Sequence, residues 1–264
     1  MQHFFAEKKD IIQGDDAISR IRFTGDDYNH MVNVLRLRKG EEISVRLTDD
    51  PGKEYRFGVD CEEGKSLICT LRFIKEDNVE LPAKVYLFQG LPKSDKLELI
   101  IQKCVELGVY EIIPVTCARS IVRIDEKKQD RKTERLNAIS EAAAKQAGRG
   151  IIPEVLSPVS FDKALLYADS RQIKHRFIPY ELSGSGSGET RDLMEKLRGC
   201  IMGDRGGEKS IAVFIGPEGG FEKEEVEEAK DHGFLPISLG KRILRTETAS
   251  ITFMSWLTLL LEDI

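Results

Sequence analysis

The sequence predicts a small β-barrel over residues 1–72, followed by an α/β domain over residues 73–264 with a largely parallel sheet. Three observations predict this. Up to LICTLRF, short stretches alternate apolar and polar residues, as half-buried strands do. After Leu81 and Pro82, apolar runs alternate with amphipathic helical patterns, the order that builds strand-helix-strand units. With 264 residues, 41% of them hydrophobic, the chain has material for one large core or two modest ones.

In the first domain AISRIRF, EEISVRL, EYRFGVD and LICTLRF read as strands, with turn signals such as DDPGKE between them. One short helix interrupts them, DDYNHMVNVLRLRKG, with Asp26 or Asp27 as its N-cap and Gly40 closing the region. In the second domain AKVYLFQGL is a buried strand. SDKLELIIQKCVELGV is an amphipathic helix capped by Ser94 and ended near Gly108, and EIIPVTC is another strand. The alternation continues through TERLNAISEAAAKQAG, HRFIPYEL, RDLMEKLRGC, SIAVFIG, EEVEEAKDHG, PISL and a final apolar helix.

Composition excludes several classes. MQHFFAEKKD lacks a basic segment followed by an apolar run, and ITFMSWLTLLL is too short to span a bilayer, so a cytoplasmic protein is expected. Cys61, Cys69, Cys104, Cys117 and Cys200 are odd in number and lack metal spacing, and His3, His30, His175 and His232 are scattered. Reduced thiols and no metal are expected. No Ser or Cys stands in a recognised nucleophile frame, which disfavours acyl transfer. The net charge of −5 does not mark a nucleic-acid binder. Yet the run RSIVRIDEKKQDRKTER is predominantly basic, either a phosphate-contacting face or a solvated loop and helix start.

Two stretches carry chemistry. In AVFIGPEGGFEKEEVEEAKDHG an apolar strand breaks into a knuckle of glycine and proline, then restarts as a helix. Such knuckles often cradle phosphate, but here Glu222, Glu224 and Glu225 occupy the first helical turn and answer the positive dipole end. The knuckle suits a neutral or cationic ligand; the acids are equally ordinary helix-start chemistry. In PISLGKRILRTETASITFMSW a strand ends at Leu239, a loop carries Gly240, Arg242 and Arg245, and Thr246 or Thr248 caps the last helix. Ligands of such sheets lie outside the carboxyl ends of the strands, so both loops can line one pocket. LSGSGSGETRDL has Glu189 where a dinucleotide motif needs its last glycine, and it reads as a surface loop, as does GDRGGEKS.

The pairing of IGPEGGFEKEE with LGKRILRTETA resembles the SPOUT superfamily of S-adenosylmethionine-dependent RNA methyltransferases, and within it the ribosomal RNA small subunit methyltransferase E family. HFF, HMVNVLRLRKG, IIQKCVELGVYEIIPV, the ARS of Ala118 to Ser120 and EAAAKQAGRGIIP extend the resemblance over most of the chain. It implies a PUA-like RNA-binding barrel and a C-terminal SPOUT domain that threads a trefoil knot. Carried over residue by residue, it places Ile215, Gly216, Glu218, Gly219 and Gly220 beside the cofactor. Leu239, Gly240, Leu244, Thr246 and Ala249 would wrap its adenine and ribose, and the strand end at Glu181 and Leu182 would add a wall. The cofactor bears a sulfonium cation and no phosphate, which fits an acid-flanked glycine knuckle.

The implied reaction is methylation of N3 of a uridine in small-subunit (16S) ribosomal RNA. Its N3–H must be deprotonated, or the developing anion stabilised. Arg245 is the candidate for anion stabilisation, and Glu181 or Glu247 for accepting the proton. His30 and Arg36 of the barrel, with Arg119, Arg123 and Arg149, are the candidate RNA-binding residues. The acidic net charge suggests a substrate recognised by shape, in a 30S particle. The resemblance also implies a homodimer with the final helix in its interface. Competing readings are a SPOUT enzyme acting on another ribosomal RNA position or on tRNA, and a catalytically silent RNA-binding assembly factor.

Overall fold

The computed structural model describes residues 1–13, 19–93, 95–120, 126–180, 195, 198–199 and 209–262. The chain divides into two compact units, Met1–Glu80 with Ala144–Ile152, and Leu81–Ala143 with Pro153–Ile264.

The first unit is a six-stranded sheet. Its strands are β1 (His3–Ala6), β2 (Ile11–Gln13), β3 (Ser19–Phe23), β4 (Glu42–Leu47), β5 (Asp50–Glu62) and β6 (Leu67–Glu76), in the order β1-β4-β5-β6-β3-β2. β1 lies parallel to β4 and the other pairs are antiparallel. Phe4, Ile21, Phe23, Met31, Ile43, Val45 and Phe57 form its core. DDPGKE is strand more than turn: the chain reverses at Thr48 and Asp49, and Pro51, tolerated near a strand start, already belongs to β5. The helix α1 (Gly25–Asn29) takes Thr24 as N-cap instead of Asp26 or Asp27, and runs on into a π-helical turn over His30–Val34. Position 72 falls inside β6, whose residues from Arg72 to Glu76 are exposed and so carry no core-facing alternation.

Residues 144–152 join the first unit through an ion pair. Arg149 Nε lies 2.9 and 3.1 Å from the two carboxylate oxygens of Glu80, and the Gly150 amide donates to Glu80 Oε1 at 2.8 Å. Arg149 is 4% exposed. Its place among the RNA-binding candidates is therefore corrected: the guanidinium is buried against a carboxylate, and neutralising that partner would leave a costly unpaired charge.

The second unit is a parallel sheet flanked by helices. In chain order it comprises β7 (Lys84–Gly90), α2 (Lys96–Glu106), β8 (Glu111–Thr116), α3 (Glu126–Ala147, whose last residues belong to the first unit), β9 (Glu154–Val155), β10 (Val159–Ser160) and α4 (Phe161–Ser170). β11 (His175–Pro179), β12 (Ser210–Ile215), α5 (Lys223–Asp231), β13 (Leu235–Ile237) and α6 (Thr246–Glu262) follow. The strand order is β10-β8-β7-β12-β11-β13, with β9 beside β8. Asp95 precedes α2 as its N-cap, while Ser94 lies outside the described residues. The basic run from Arg119 is helix from Glu126 onward.

The chain leaves β7 toward β8 on one side and later fills the other side with β12, β11 and β13. The crevice at the carboxyl ends of β7 and β12 is therefore a topological switch point, where open α/β sheets bind ligands.

Candidate active site

A cleft of about 1430 Å³ opens at the carboxyl ends of β11, β12 and β13. Single small-ligand sites run to about 1,000 Å³, so the cleft has room for a cofactor and part of a substrate.

Its first wall is the knuckle after β12. Phe221, 3% exposed, anchors it by packing on Phe214 with ring centroids 5.3 Å apart at 84°. That anchor draws the chain back on itself. A Cβ at Gly216 would lie 3.2 Å from the Phe221 ring, and one at Gly90, the end of β7, would lie 2.6 Å from Pro217. The turn closes with the Gly220 amide donating to the Pro217 carbonyl at 2.9 Å, and Gly220 has φ +68°, which glycine adopts without strain.

The acids of the knuckle face partners instead of the ligand. Glu222 and Glu225 form a capping box at the start of α5. Glu225 also accepts from the Ala118 amide at 2.7 Å. The guanidinium of Arg119 clamps the knuckle, donating to Glu222 Oε1 at 2.8 Å, Glu222 Oε2 at 2.9 Å and the Gly219 carbonyl at 3.0 Å. Glu218 accepts from the Lys93 amide at 3.1 Å and from Lys96 Nζ at 3.0 Å. Burial works against its charge, but those donors outweigh it and hold the carboxyl below the ordinary glutamate range. The acids thus fix the knuckle's shape.

The hydrogen bond from Arg119 holds the Glu222 carboxyl below its usual range. A depressed carboxylate stabilises the fold above its unfolded value, about 4.3, and loses that contribution as pH falls through the folded value. The thermal midpoints of wild type and Arg119→Gln are expected to differ modestly at neutral pH, since the pair is exposed, and to converge in acid. A gap that persists at the lowest pH would assign the clamp to packing.

The second wall runs from Ser238 to Thr246. Leu239, Leu244 and Ala249 are half-buried along it, and Gly240 has φ +120°. Thr246 is buried, and its hydroxyl donates to the Gly216 carbonyl at 2.7 Å. That hydroxyl therefore ties the two walls together and does not cap α6. Arg242 and Arg245 are exposed on the rim. Glu247 does not line the cleft: its Oε2 is buried 3.4 Å from Lys96 Nζ, close enough for charge attraction but without a directed hydrogen bond. This turns it away from the proton-accepting role expected of it.

Ile215, Gly216, Glu218, Gly219, Gly220, Leu239, Gly240, Leu244, Thr246 and Ala249 all line the cleft, as does Arg245. Glu181, Leu182 and Arg123 lie outside the described residues. His30 and Arg36 are exposed in the first unit, Arg36 with φ 54°. Sequence reasoning missed Tyr180 after β11 and Trp256 on α6, which also line the cleft. Trp256 was legible as the one tryptophan of the final apolar run; nothing local marks Tyr180. Six lining side chains are cationic, Arg119, Arg198, Lys223, Lys241, Arg242 and Arg245, against Glu195, Glu218 and Glu222. The rim is thus basic in a chain of net charge −5.

Known proteins match this architecture throughout. The RNA methyltransferase domain model matches residues 79–258 and the RNA methyltransferase PUA domain model residues 23–60. The chain is 36% identical over 256 residues to ribosomal RNA small subunit methyltransferase E of Bacillus subtilis, covering 97% of this chain and 95% of that one. Among solved structures, that of a ribosomal RNA small subunit methyltransferase E from Neisseria gonorrhoeae bound to S-adenosyl methionine superposes with a TM-score of 0.77 at 26% identity, over 98% of both chains. A Legionella pneumophila protein, Lpg2936, solved in complex with the cofactor SAM, gives a TM-score of 0.79 at 30% identity, over 98% of this chain and 97% of that one.

Proposed function

This chain belongs to the ribosomal RNA small subunit methyltransferase E family, and from that premise we propose that it methylates N3 of a uridine in small-subunit ribosomal RNA, using S-adenosylmethionine. The observation that carries this reading is the cleft, with a floor of backbone and apolar side chains beneath a basic rim. The floor suits an uncharged adenine nucleoside. The rim suits a polyanion.

When bound, the cofactor supplies an electrophilic methyl group on a sulfonium. The chain's own residues must then expose N3, which Watson–Crick pairing hides, and accommodate the charge left by its proton. Arg245 is on the rim and forms no hydrogen bond or ion pair with a described side chain, so its guanidinium is available to a uridine carbonyl oxygen. Glu181 is the proposed proton acceptor, because it directly follows Tyr180, a lining residue. His30 and Arg36 are the proposed RNA contacts of the PUA-like unit.

The same reading includes a homodimer, supported by Ile243 and Leu259, apolar yet 82% and 66% exposed on the cleft loop and on α6. It includes a trefoil knot, supported by the return of the chain from β13 at the sheet edge to pack α6 against α2 and β12. Among the described residues no helix is long and apolar enough to cross a membrane, and a cytoplasmic location, where 30S particles assemble, is proposed.

The test is transfer of a radiolabelled methyl group to naked small-subunit RNA and to assembled 30S subunits. Protein-dependent labelling, stronger on the particle, is expected. Cofactor binding without labelling of either would instead favour a silent assembly factor.

A further inference from the structure

Behind the cleft lies a buried chain of polar side chains. Gln89 is 0% exposed near the end of β7, in register with Ile215 of β12. Its Nε2 donates to the Gly90 carbonyl and to Thr246 Oγ1, both at 2.9 Å, and its Oε1 accepts from Ser250 Oγ at 2.5 Å. Thr246 Oγ1 donates onward to the Gly216 carbonyl at 2.7 Å. Thr246 is 4% exposed and Ser250 0%.

One group fixes the direction of every proton. The Gly90 carbonyl can only accept, so the amide nitrogen of Gln89 must face it, and with it Thr246. Thr246 therefore accepts from Gln89 and spends its single hydroxyl proton on Gly216. Oε1 of Gln89, facing the other way, takes the proton of Ser250, whose Oγ lies closer to it, at 2.5 Å, than to the Thr246 carbonyl at 3.0 Å. Flipping the amide would set two acceptors against each other in a buried site, which is strongly unfavourable.

We propose that Gln89, Thr246 and Ser250 act as positioning residues, a relay that holds the knuckle and the 238–246 loop at the separation the cofactor needs. This rests on the cofactor reading above. Gly216 opens one wall of the cleft and Thr246 closes the other, and β12 and β13 do not pair directly but only through β11. Among the described residues a second tie, from Lys96 to Glu218 of the knuckle and to Glu247 at the start of α6, has its lysine side chain 30% exposed and is weakened by solvent. A ligand gripped by both walls binds only the chains in which the walls are correctly spaced, so its apparent affinity falls with that fraction.

The test compares binding of S-adenosylmethionine by calorimetry, and turnover at saturating cofactor, in variants that keep either the hydroxyl or the volume of Thr246. Thr246→Ser keeps the donor and loses a methyl group; Thr246→Val keeps the shape and loses the donor. The relay predicts that Thr246→Val weakens cofactor binding about tenfold and raises KM for the cofactor more than it lowers kcat, while Thr246→Ser, which keeps the donor, recovers most of that loss. It also predicts that Gln89→Met with Thr246→Val weakens binding no more than either alone, because both break one chain. A packing role predicts the reverse order of the two Thr246 variants, and that order, or additive losses in the double variant, overturns the proposal. If Thr246→Val does not fold, Gln89→Met reads the relay from its other end, and wild-type affinity in that variant overturns it. Failure of wild type itself to bind the cofactor would strike the cofactor reading, and the relay's role with it.

Discussion

Arg245→Ala is expected to lower the methylation rate by about a hundredfold or more while leaving cofactor affinity nearly unchanged, the scale lost with one preorganised donor to a developing anion. The side chain stands on the cleft rim and is exposed, whereas Arg119, on the same rim, is committed to Glu222 and Gly219. Removing N3–H places charge on the uridine carbonyl oxygens, and an always-protonated planar donor matches it better than lysine would. Arg245→Lys should therefore restore only part of the rate. A structural role in a dimer would instead lower oligomeric mass or thermal midpoint together with activity. Rate, cofactor affinity and mass measured on one preparation separate the two. Near-normal turnover, or loss explained by dissociation, removes Arg245 from the chemistry.

Gly90→Ala is expected to abolish cofactor binding although residue 90 does not line the cleft. The added Cβ would stand 2.6 Å from the Pro217 nitrogen and ring and 2.9 Å from the Gly216 carbonyl carbon, distances that backbone and a proline ring cannot relieve by a rotamer change. The knuckle must move, and Gly90 also holds the carbonyl that orients Gln89. Overpacking of this kind costs about 1–3 kcal/mol, so the variant should fold with a lowered thermal midpoint. Wild-type affinity in Gly90→Ala would show that the knuckle's position does not govern binding.

Much of this was legible in the sequence because it is local. Both cleft walls announce themselves as glycine-bearing breaks after apolar runs, and every strand expected of the second unit within the described residues is present. Helix α4 has no counterpart among the elements expected above, although Phe161, Ala164, Leu165 and Ala168 are buried at helical spacing. What stayed hidden is long-range pairing. Glu222 finds Arg119 across 103 residues, Arg149 finds Glu80 across 69, and Gln89 finds Thr246 across 157. A lone glutamine in a strand gives no sign of its partner, and a charged residue looks the same before a clamp or a substrate. For that reason ten of the cofactor candidates line the cleft, with Leu182 outside the described residues, whereas the candidates Arg149 and Glu247 stand in ion pairs away from it.

The identity of the modified nucleoside tests the proposed reaction most directly. Small-subunit RNA incubated as 30S particles with the protein and S-adenosylmethionine carrying a labelled methyl group would be digested to nucleosides and separated by mass. Label is expected in 3-methyluridine alone, from a single position, and none with Arg245→Ala on the same time scale. Label on a ribose oxygen, on uridine carbon 5 or on another base, or labelling of tRNA in preference to the particle, would contradict the proposed reaction.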